Sequence, residues 1–312
     1  MLISHETIVT MSSANATVFQ TLSEEPVLGH SLGRVTVLRL DLLGGAAPGN
    51  KAFKLRPYLE QAKSADARCI LSFGGAWSNH LHALAAMGAE MELDTVGFVR
   101  GGECDNPMLS DVRRWGMRVV PLTREQYRLR HQHSFQQGLL QTHGPGLMIA
   151  EGGSDREGVL GCLDIAELIN RARGGWSRVV LPVGTGTTLA GLAAGLDPGM
   201  HLQGISALKN ASDLERRVTD ALASAGLRAQ VPWVIEHDFH CGGFARVSDS
   251  LRHFMLACEA THGLPLEPVY TGKMLFAMQR LRASGRISPE EALLLVHTGG
   301  LQGRRGYPWL AP

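Results

Sequence analysis

The chain has 312 residues, enough for about two domains of ~150 residues each, and with 44% apolar and 19% charged residues it is not a wholly disordered one. Thirty basic residues against 29 acidic ones leave a net charge of +1, so no cationic excess faces a nucleic-acid backbone. No apolar run nears the ~18 residues of a membrane span, the start Met-Leu-Ile-Ser-His-Glu lacks the basic opening of a secretory signal, and the five scattered cysteines (69, 104, 162, 241 and 258) form no CxxC pair; a reducing cytoplasm is expected rather than a disulfide framework or a zinc ribbon.

In chain order, the first 20 or so residues, with Ser12-Ser13-Ala14-Asn15, read as loosely structured. Short β-branched runs then alternate with helical patterns. A strand over 34–40 precedes an amphipathic helix that opens at Lys51; a strand over 69–73 and a helix over 79–91 follow, then strands over 95–99, 118–122 and 147–150. The second half offers a helix over 158–173, a strand over 179–183, a helix over 188–195 and a strand over 202–205. Helices over 211–224, 248–261 and 273–283 and a last strand over 293–297 complete it. Continuous apolar strands separated by helices predict an α/β chain with parallel sheets covered on both faces. Eight strands exceed one modest sheet, so two sheets with a cleft between them are expected, with ligands beyond the C-terminal strand ends.

Glycine, 37 of 312 residues, exceeds its usual ~7%, whereas lysine occurs only at 51, 54, 63, 209 and 273. Three glycine-punctuated segments stand out. In Pro48-Gly49-Asn50-Lys51-Ala52-Phe53-Lys54-Leu55, two lysines lie one helical turn apart at a strand-to-helix turn. A primary amine can form a Schiff base with an aldehyde and guanidinium cannot, although two solvated lysines at a helix start are the plainer alternative. In Ser72-Phe73-Gly74-Gly75-Ala76-Trp77-Ser78-Asn79-His80, Ser and Asn either cap a helix or join the loop amides in cupping an anion. In Val183-Gly184-Thr185-Gly186-Thr187-Thr188, a strand-to-helix turn with hydroxyls suits a phosphate. It is no Walker loop, since no Lys follows, and Leu189 replaces the third glycine of a dinucleotide fingerprint. Pyridoxal phosphate would use all three together: a lysine for its aldehyde, a helix-start cradle for its phosphate and a polar partner for its ring oxygen.

The motifs GNKxxKL, GGxxSNH, GTGTTxAGL, PVYTGK and HTGG, in this order between about Leu38 and Gly303, resemble the 1-aminocyclopropane-1-carboxylate deaminase and D-cysteine desulfhydrase family. The resemblance implies pyridoxal-phosphate dependence and the tryptophan-synthase-β fold, type II: α/β, two doubly wound three-layer domains with the cofactor in the cleft between them. It implies a large cofactor-binding domain of residues 1–53 plus 159–312 and a small domain of 54–158, which would close on substrate. By the same resemblance Lys51 carries the cofactor and Lys54 helps to hold the phosphate. Asn79 meets the ring 3′-oxygen, and Ser78 lies beside the substrate with Asn79 and His80. Gly184, Thr185, Gly186, Thr187 and Thr188 form the phosphate loop, Tyr270 packs near the ring and Thr298 falls at the pyridine nitrogen. Lys51, Ser78 and Tyr270 are the expected catalytic groups.

Two positions depart from the family pattern. Trp77 replaces a glutamine that commonly precedes Ser-Asn, adding bulk over the substrate site, and Phe244 takes the place of a second active-site tyrosine. Thr271 and Thr298 stand where ring-opening deaminases carry an acidic and an apolar residue, the pattern that resembles D-cysteine desulfhydrases. No metal site is expected: His80-x-His82 and His131-x-His133 lie in helical contexts whose i,i+2 side chains diverge, and His237, His240 and Cys241 read as a loop lining the substrate cleft. The expected activity is β-elimination from D-cysteine or a related small amino acid, giving pyruvate, ammonia and sulfide. Aminocyclopropanecarboxylate deamination to 2-oxobutyrate, β-replacement as in cysteine synthesis, cofactor binding without turnover, and a nucleotide-binding domain using the threonine-rich loop stay open. A cytoplasmic homodimer with a small amino-acid substrate, binding neither nucleic acid nor membrane, completes the expectation.

Overall fold

Continuous apolar runs along the strands decide the architecture. The computed structural model describes residues 18–65, 67, 69–101 and 105–310. Its strands are β1 (Phe19–Thr21), β2 (Val35–Arg39), β3 (Cys69–Gly75), β4 (Asp94–Arg100), β5 (Arg118–Leu122), β6 (Leu147–Ile149), β7 (Arg178–Val183), β8 (His201–Ser206), β9 (Trp233–Glu236) and β10 (Leu293–His297). The helices are α1 (Asn50–Ser64), α2 (Asn79–Glu90), α3 (Pro107–Arg114), α4 (Arg124–Arg128), α5 (His133–His143), α6 (Arg156–Ala172), α7 (Thr187–Gly195), α8 (Leu214–Ser224), α9 (Asp249–His262) and α10 (Thr271–Ala283).

Two sheets form. One runs β1-β2-β10-β7-β8-β9 and the other β5-β4-β3-β6. All pairs are parallel except β1 on β2. On β10, Leu294 and Val296 enter the core packed with Ile165 of α6, Leu192 of α7 and Val218 of α8, while Leu293 and Leu295 enter that of Phe254 of α9 and Met274 of α10. Both faces of the strand are thus buried, which is why it reads as an unbroken apolar run. On the smaller sheet, Ile70 packs with Leu59 of α1 and Leu84 of α2, whereas Leu71 and Phe73 pack with Tyr127 of α4 and Leu139 of α5. Among the described residues no helix is long and apolar enough to cross a membrane.

All eight expected strands are present, and the six expected helices with assigned bounds end within three residues of those bounds. Two strands escaped the pattern, β1 and β9, both short and both at the margins of the larger sheet. Edge position removes the second buried face that makes a strand conspicuous, and Val234 of β9 is accordingly exposed. The loose reading of Ser12–Asn15 and the cysteine at 104 lie outside the described residues. Val18 and Leu22, at the end of that stretch, are instead buried. His133 opens α5 but His131 lies in the turn before it, not in a helix.

Candidate active site

The C-terminal ends of β3 and β7 lead into α2 and α7 and so bring Asn79 and Thr185, which follow different sheets, to one cleft of about 1440 Å³. Helix α1 enters it from the larger sheet. Gly49 bridges Gly299 beyond β10, and the Asn50 N–H donates to the Thr298 carbonyl at 3.1 Å. Both glycines have positive φ (113° and 81°), and a Cβ on Gly49 would lie 2.6 Å from that carbonyl, so no side chain fits this crossing. Lys51 is therefore delivered to the cleft by the first turn of a helix tied to the end of β10.

The Lys51 side chain is partly buried, with Nζ 3.4 Å from the Asn50 side-chain oxygen. Burial first, then the neighbouring Lys54 ammonium, lower its pKa to about 7. A large share of the amine is thus neutral near neutral pH, the form that attacks an aldehyde. Lys54, one turn on, is 3% exposed, donates to the Gly152 carbonyl at 3.4 Å and is likewise pushed down by burial. Gly152 in turn lies against Thr185, so Lys54 and the glycine-threonine loop converge on one spot.

That spot is the start of α7. Gly186 occupies the N-cap in the left-handed region (φ 90°), with no side-chain cap for the first-turn N–H groups. The Thr185 and Thr187 hydroxyls lie 2.9 Å apart, so one donates to the other and one hydroxyl proton stays available. Thr188 is committed differently: its hydroxyl accepts from the Asn50 amide at 3.0 Å and pins α7 to α1. Uncapped amides, a free hydroxyl proton and a buried ammonium are what a phosphate monoester needs.

Across the cleft, Ser78 caps α2, accepting from the Leu81 N–H at 3.2 Å, which leaves its own proton free to donate. Asn79 also lines the cleft, and its Oδ1 accepts from the Gln302 amide at 3.0 Å. His80 is 2% exposed and still lines the cleft. Ser72 gives its proton to the Ile149 carbonyl (2.9 Å), so the ring donates from Nε2 to Ser72 (2.8 Å) and Nδ1 is left buried without a partner. Burial, then Lys51 and Lys54, push its pKa down to about 3, so the ring is a neutral wall. His82 points to Asp111 instead, at 3.1 Å.

Tyr270 lies against Gly184, and its phenol stays protonated well above the usual range because of burial and then the Glu267 and Glu151 carboxylates. Glu267 went unnoticed in the sequence. Its buried carboxylate accepts from the N–H groups of Val269 (2.8 Å), Tyr270 (2.7 Å) and Thr271 (2.7 Å), which clamps the turn that aims Tyr270. An acidic residue just ahead of Pro-Val-Tyr is the signal that could have found it. Gln302 also went unnoticed, and Lys273, though part of the PVYTGK motif, carried no expected role; its ammonium, 1% exposed, donates to the Gly243 carbonyl at 2.7 Å. Thr298 lines the cleft at the end of β10. Behind it His297 is held by Asp41 (2.8 Å) and the Pro265 carbonyl (2.9 Å), and His297 and Arg39 lower the Asp41 pKa to about 2 against its burial.

Trp77 and Phe244 both line the cleft. The histidines of the 237–241 loop turn elsewhere, His237 to Glu215 (2.7 Å) and His240 to the Gly242 N–H (3.0 Å); Phe244 and Ala245 are the part of this stretch that reaches the cleft.

A neutral-prone lysine one helical turn from a phosphate-sized cradle fits the cofactor class of enzymes that bind pyridoxal phosphate through an amine. The model of the pyridoxal-phosphate dependent enzyme family matches residues 20–299, and the chain belongs to that family. It is similar to a Pyrococcus horikoshii protein named "Putative 1-aminocyclopropane-1-carboxylate deaminase", with 25% identity over 90% of this chain and 89% of that one. It is also similar to a D-cysteine desulfhydrase of Salmonella choleraesuis, with 27% identity over 88% and 89%. Among solved structures, that of an aminocyclopropanecarboxylate deaminase homologue superposes with a TM-score of 0.79 at 24% identity, covering 93% of this chain and 90% of that one; at this identity it speaks for the fold, type II, alone.

Proposed function

We propose that the enzyme eliminates the β-substituent of a small amino acid, D-cysteine being favoured over aminocyclopropanecarboxylate. When bound, pyridoxal phosphate supplies an electron sink for the substrate carbons. In this reading the residues it addresses are Lys51 for its aldehyde, Lys54, Gly184, Thr185, Gly186, Thr187 and Thr188 on the phosphate side, and Asn79, Tyr270 and Thr298 around the ring. Ser78 and Asn79 then hold the substrate carboxylate, and Lys51 Nζ, neutral once its pKa is near 7, takes the proton from Cα. Tyr270, kept protonated, offers a proton rather than a charge.

The observation that carries the choice of reaction is the state of the two cleft carboxylates. Glu151 is bound by Tyr127 and Arg130 at 2.7 Å each, and Glu267 is consumed by three backbone N–H groups. Neither is free to hold a proton on a pyridine nitrogen. The neutral Thr298 hydroxyl is left for that position, and the sink is correspondingly weak. A thiolate departs readily from such a site, whereas a ring carbon is a poor leaving group. We further take the segment 54–158 as a domain that closes against the rest, in a cytoplasmic homodimer serving amino-acid metabolism. The test offers D-cysteine, L-cysteine and aminocyclopropanecarboxylate to purified holoenzyme and measures sulfide, pyruvate and 2-oxobutyrate. Sulfide with pyruvate from D-cysteine is expected; 2-oxobutyrate with no sulfide from either enantiomer would overturn the choice.

A further inference from the structure

Exposed aromatic rings gather on one wall of the cleft, and buried groups hold them there. Trp77 is 42% exposed and Phe244 52% exposed. The Trp77 ring lies so close to Gly306 that a Cβ there would sit 3.1 Å from it. The next residue, Tyr307, reaches across with its hydroxyl to the Ala245 carbonyl at 3.3 Å. Phe244, beside Ala245, meets Tyr270 edge to face, with ring centroids 6.1 Å apart at 70°. The rim is therefore continuous from the loop before Ser78 to the tyrosine against Gly184. Lys273 fixes its far end, since the buried ammonium donates to the Gly243 and Ala207 carbonyls at 2.7 and 3.3 Å.

A loop anchored by a buried lysine so as to present an uncovered phenylalanine is not a casual surface. Exposed aromatic area of this kind is covered favourably, at roughly 25 cal/mol per Å², and edge-to-face ring contacts add to that. Of the cleft arginines, Arg130 is on Glu151, Arg217 on Asp213 and Arg100 over the Tyr127 ring; these three and Arg124, which opens α4, come from segments other than those that carry the rim rings. The four rings present an uncharged, largely apolar wall that spans more than a bare thiol would cover.

We propose that the rim formed by Trp77, Phe244, Tyr270 and Tyr307 receives an aromatic or bulky apolar β-substituent, so that the substrate class is an S-substituted cysteine rather than cysteine itself; this rests on the elimination reading above. The chemistry balances without oxidant or reductant. The Cα–H and Cβ–S bonds break, the Cα proton ends on the departing thiolate, and the released enamine takes up water: RS–CH2–CH(NH3⁺)–COO⁻ + H2O gives RSH, pyruvate and ammonium.

The test compares S-benzylcysteine with cysteine, both enantiomers of each, on the holoenzyme. Pyruvate release should show kcat/KM at least about tenfold higher for S-benzylcysteine, the usual scale for filling an apolar pocket. Trp77→Gln and Phe244→Ser should each reduce that preference severalfold, with cofactor content checked by absorbance. Equal kcat/KM for the two compounds, or a preference that survives both substitutions, overturns the proposal. If no amino acid yields pyruvate, the elimination reading fails by itself and binding decides the rim. Quenching of tryptophan fluorescence by S-benzylcysteine at concentrations about tenfold below those needed for cysteine, and its loss in Trp77→Phe, supports the rim; equal affinities sink it.

Discussion

The floor and the rim of the cleft are built by opposite means. On the floor, Asn50, Lys54, Thr188 and Glu267 are buried, and each is tied to another element or to the backbone of its own turn. On the rim, Trp77 and Phe244 stay exposed and are placed by loop contacts. The floor matches the demands of one invariant ligand, whose phosphate and aldehyde need fixed donors and a fixed amine. The rim carries Trp77 and Phe244, the two positions at which the sequence reading expects a departure from the resembled pattern. Specificity can be altered there without disturbing the groups that a cofactor requires, because no buried hydrogen bond of the floor passes through either ring.

The comparison breaks most sharply at Lys51. Lys51→Ala should lower turnover by more than ~10³-fold, the scale for loss of a covalent catalyst. Cofactor affinity should fall less, because the phosphate cradle stands apart from the amine. Peptide mass analysis after borohydride treatment should find the cofactor on the Lys51 peptide of the unsubstituted enzyme and on no peptide of the variant. A label on the Lys54 peptide would reverse the two lysines. Next in size, Thr185→Ala and Thr187→Ala should each weaken pyridoxal-phosphate affinity by about 1–3 kcal/mol, the value of a hydrogen bond to a charged group, read by titration of apoenzyme. Their hydroxyls touch each other, so the double substitution should be less than additive.

Those residues could be read in the sequence because each belongs to a local turn. A glycine-threonine run before a helix and an amine one residue inside another need only their neighbours to declare themselves. Glu267 was not legible, because an acidic side chain ahead of Pro-Val-Tyr could as well protrude as fold back on three N–H groups. Lys273 sits in a quoted motif, yet its partner Gly243 is 30 residues away. Gln302 and Asn79 are 223 residues apart and meet only when the two sheets face each other. The covered strands were legible through their two buried faces, and the marginal β1 and β9 were not. What the sequence withheld was pairing between distant segments.

A third test sharpens the electrostatics of the floor. Lys51 is protonated and unreactive below its pKa of about 7 and neutral above it. Covalent capture of pyridoxal phosphate by apoenzyme, trapped with borohydride at fixed times, should therefore rise as pH passes through about 7 and then level. At one unit below the midpoint it should be about tenfold slower than on the plateau. An ordinary lysine would leave the rate still climbing past pH 9. The Lys54 ammonium is one of the causes of the lowered value, so Lys54→Met should move the midpoint upward.

The smallest effect concerns Gln302, which joins the wall beyond β10 to Asn79 on the opposite sheet. Its amide donates to Asn79 Oδ1 at 3.0 Å, and the Asn79 Nδ2 lies at Gly300, where a Cβ would be 2.7 Å from it. The donor thereby selects which end of the Asn79 amide remains for a ligand. Gln302→Ala removes one neutral hydrogen bond and should weaken cofactor affinity by about 0.5–1.5 kcal/mol, roughly 2–12-fold. Gln302→Glu keeps the size but can only accept. Asn79 would have to turn its NH2 toward the new carboxylate and present its oxygen to the cleft, where a ring oxygen bearing negative charge would find a second acceptor. The glutamate variant should therefore bind pyridoxal phosphate more weakly than the alanine variant, although its shape is closer to the original. Affinities in the reverse order would mean that Asn79 takes its orientation from the packing of α2 and Gly300, not from Gln302.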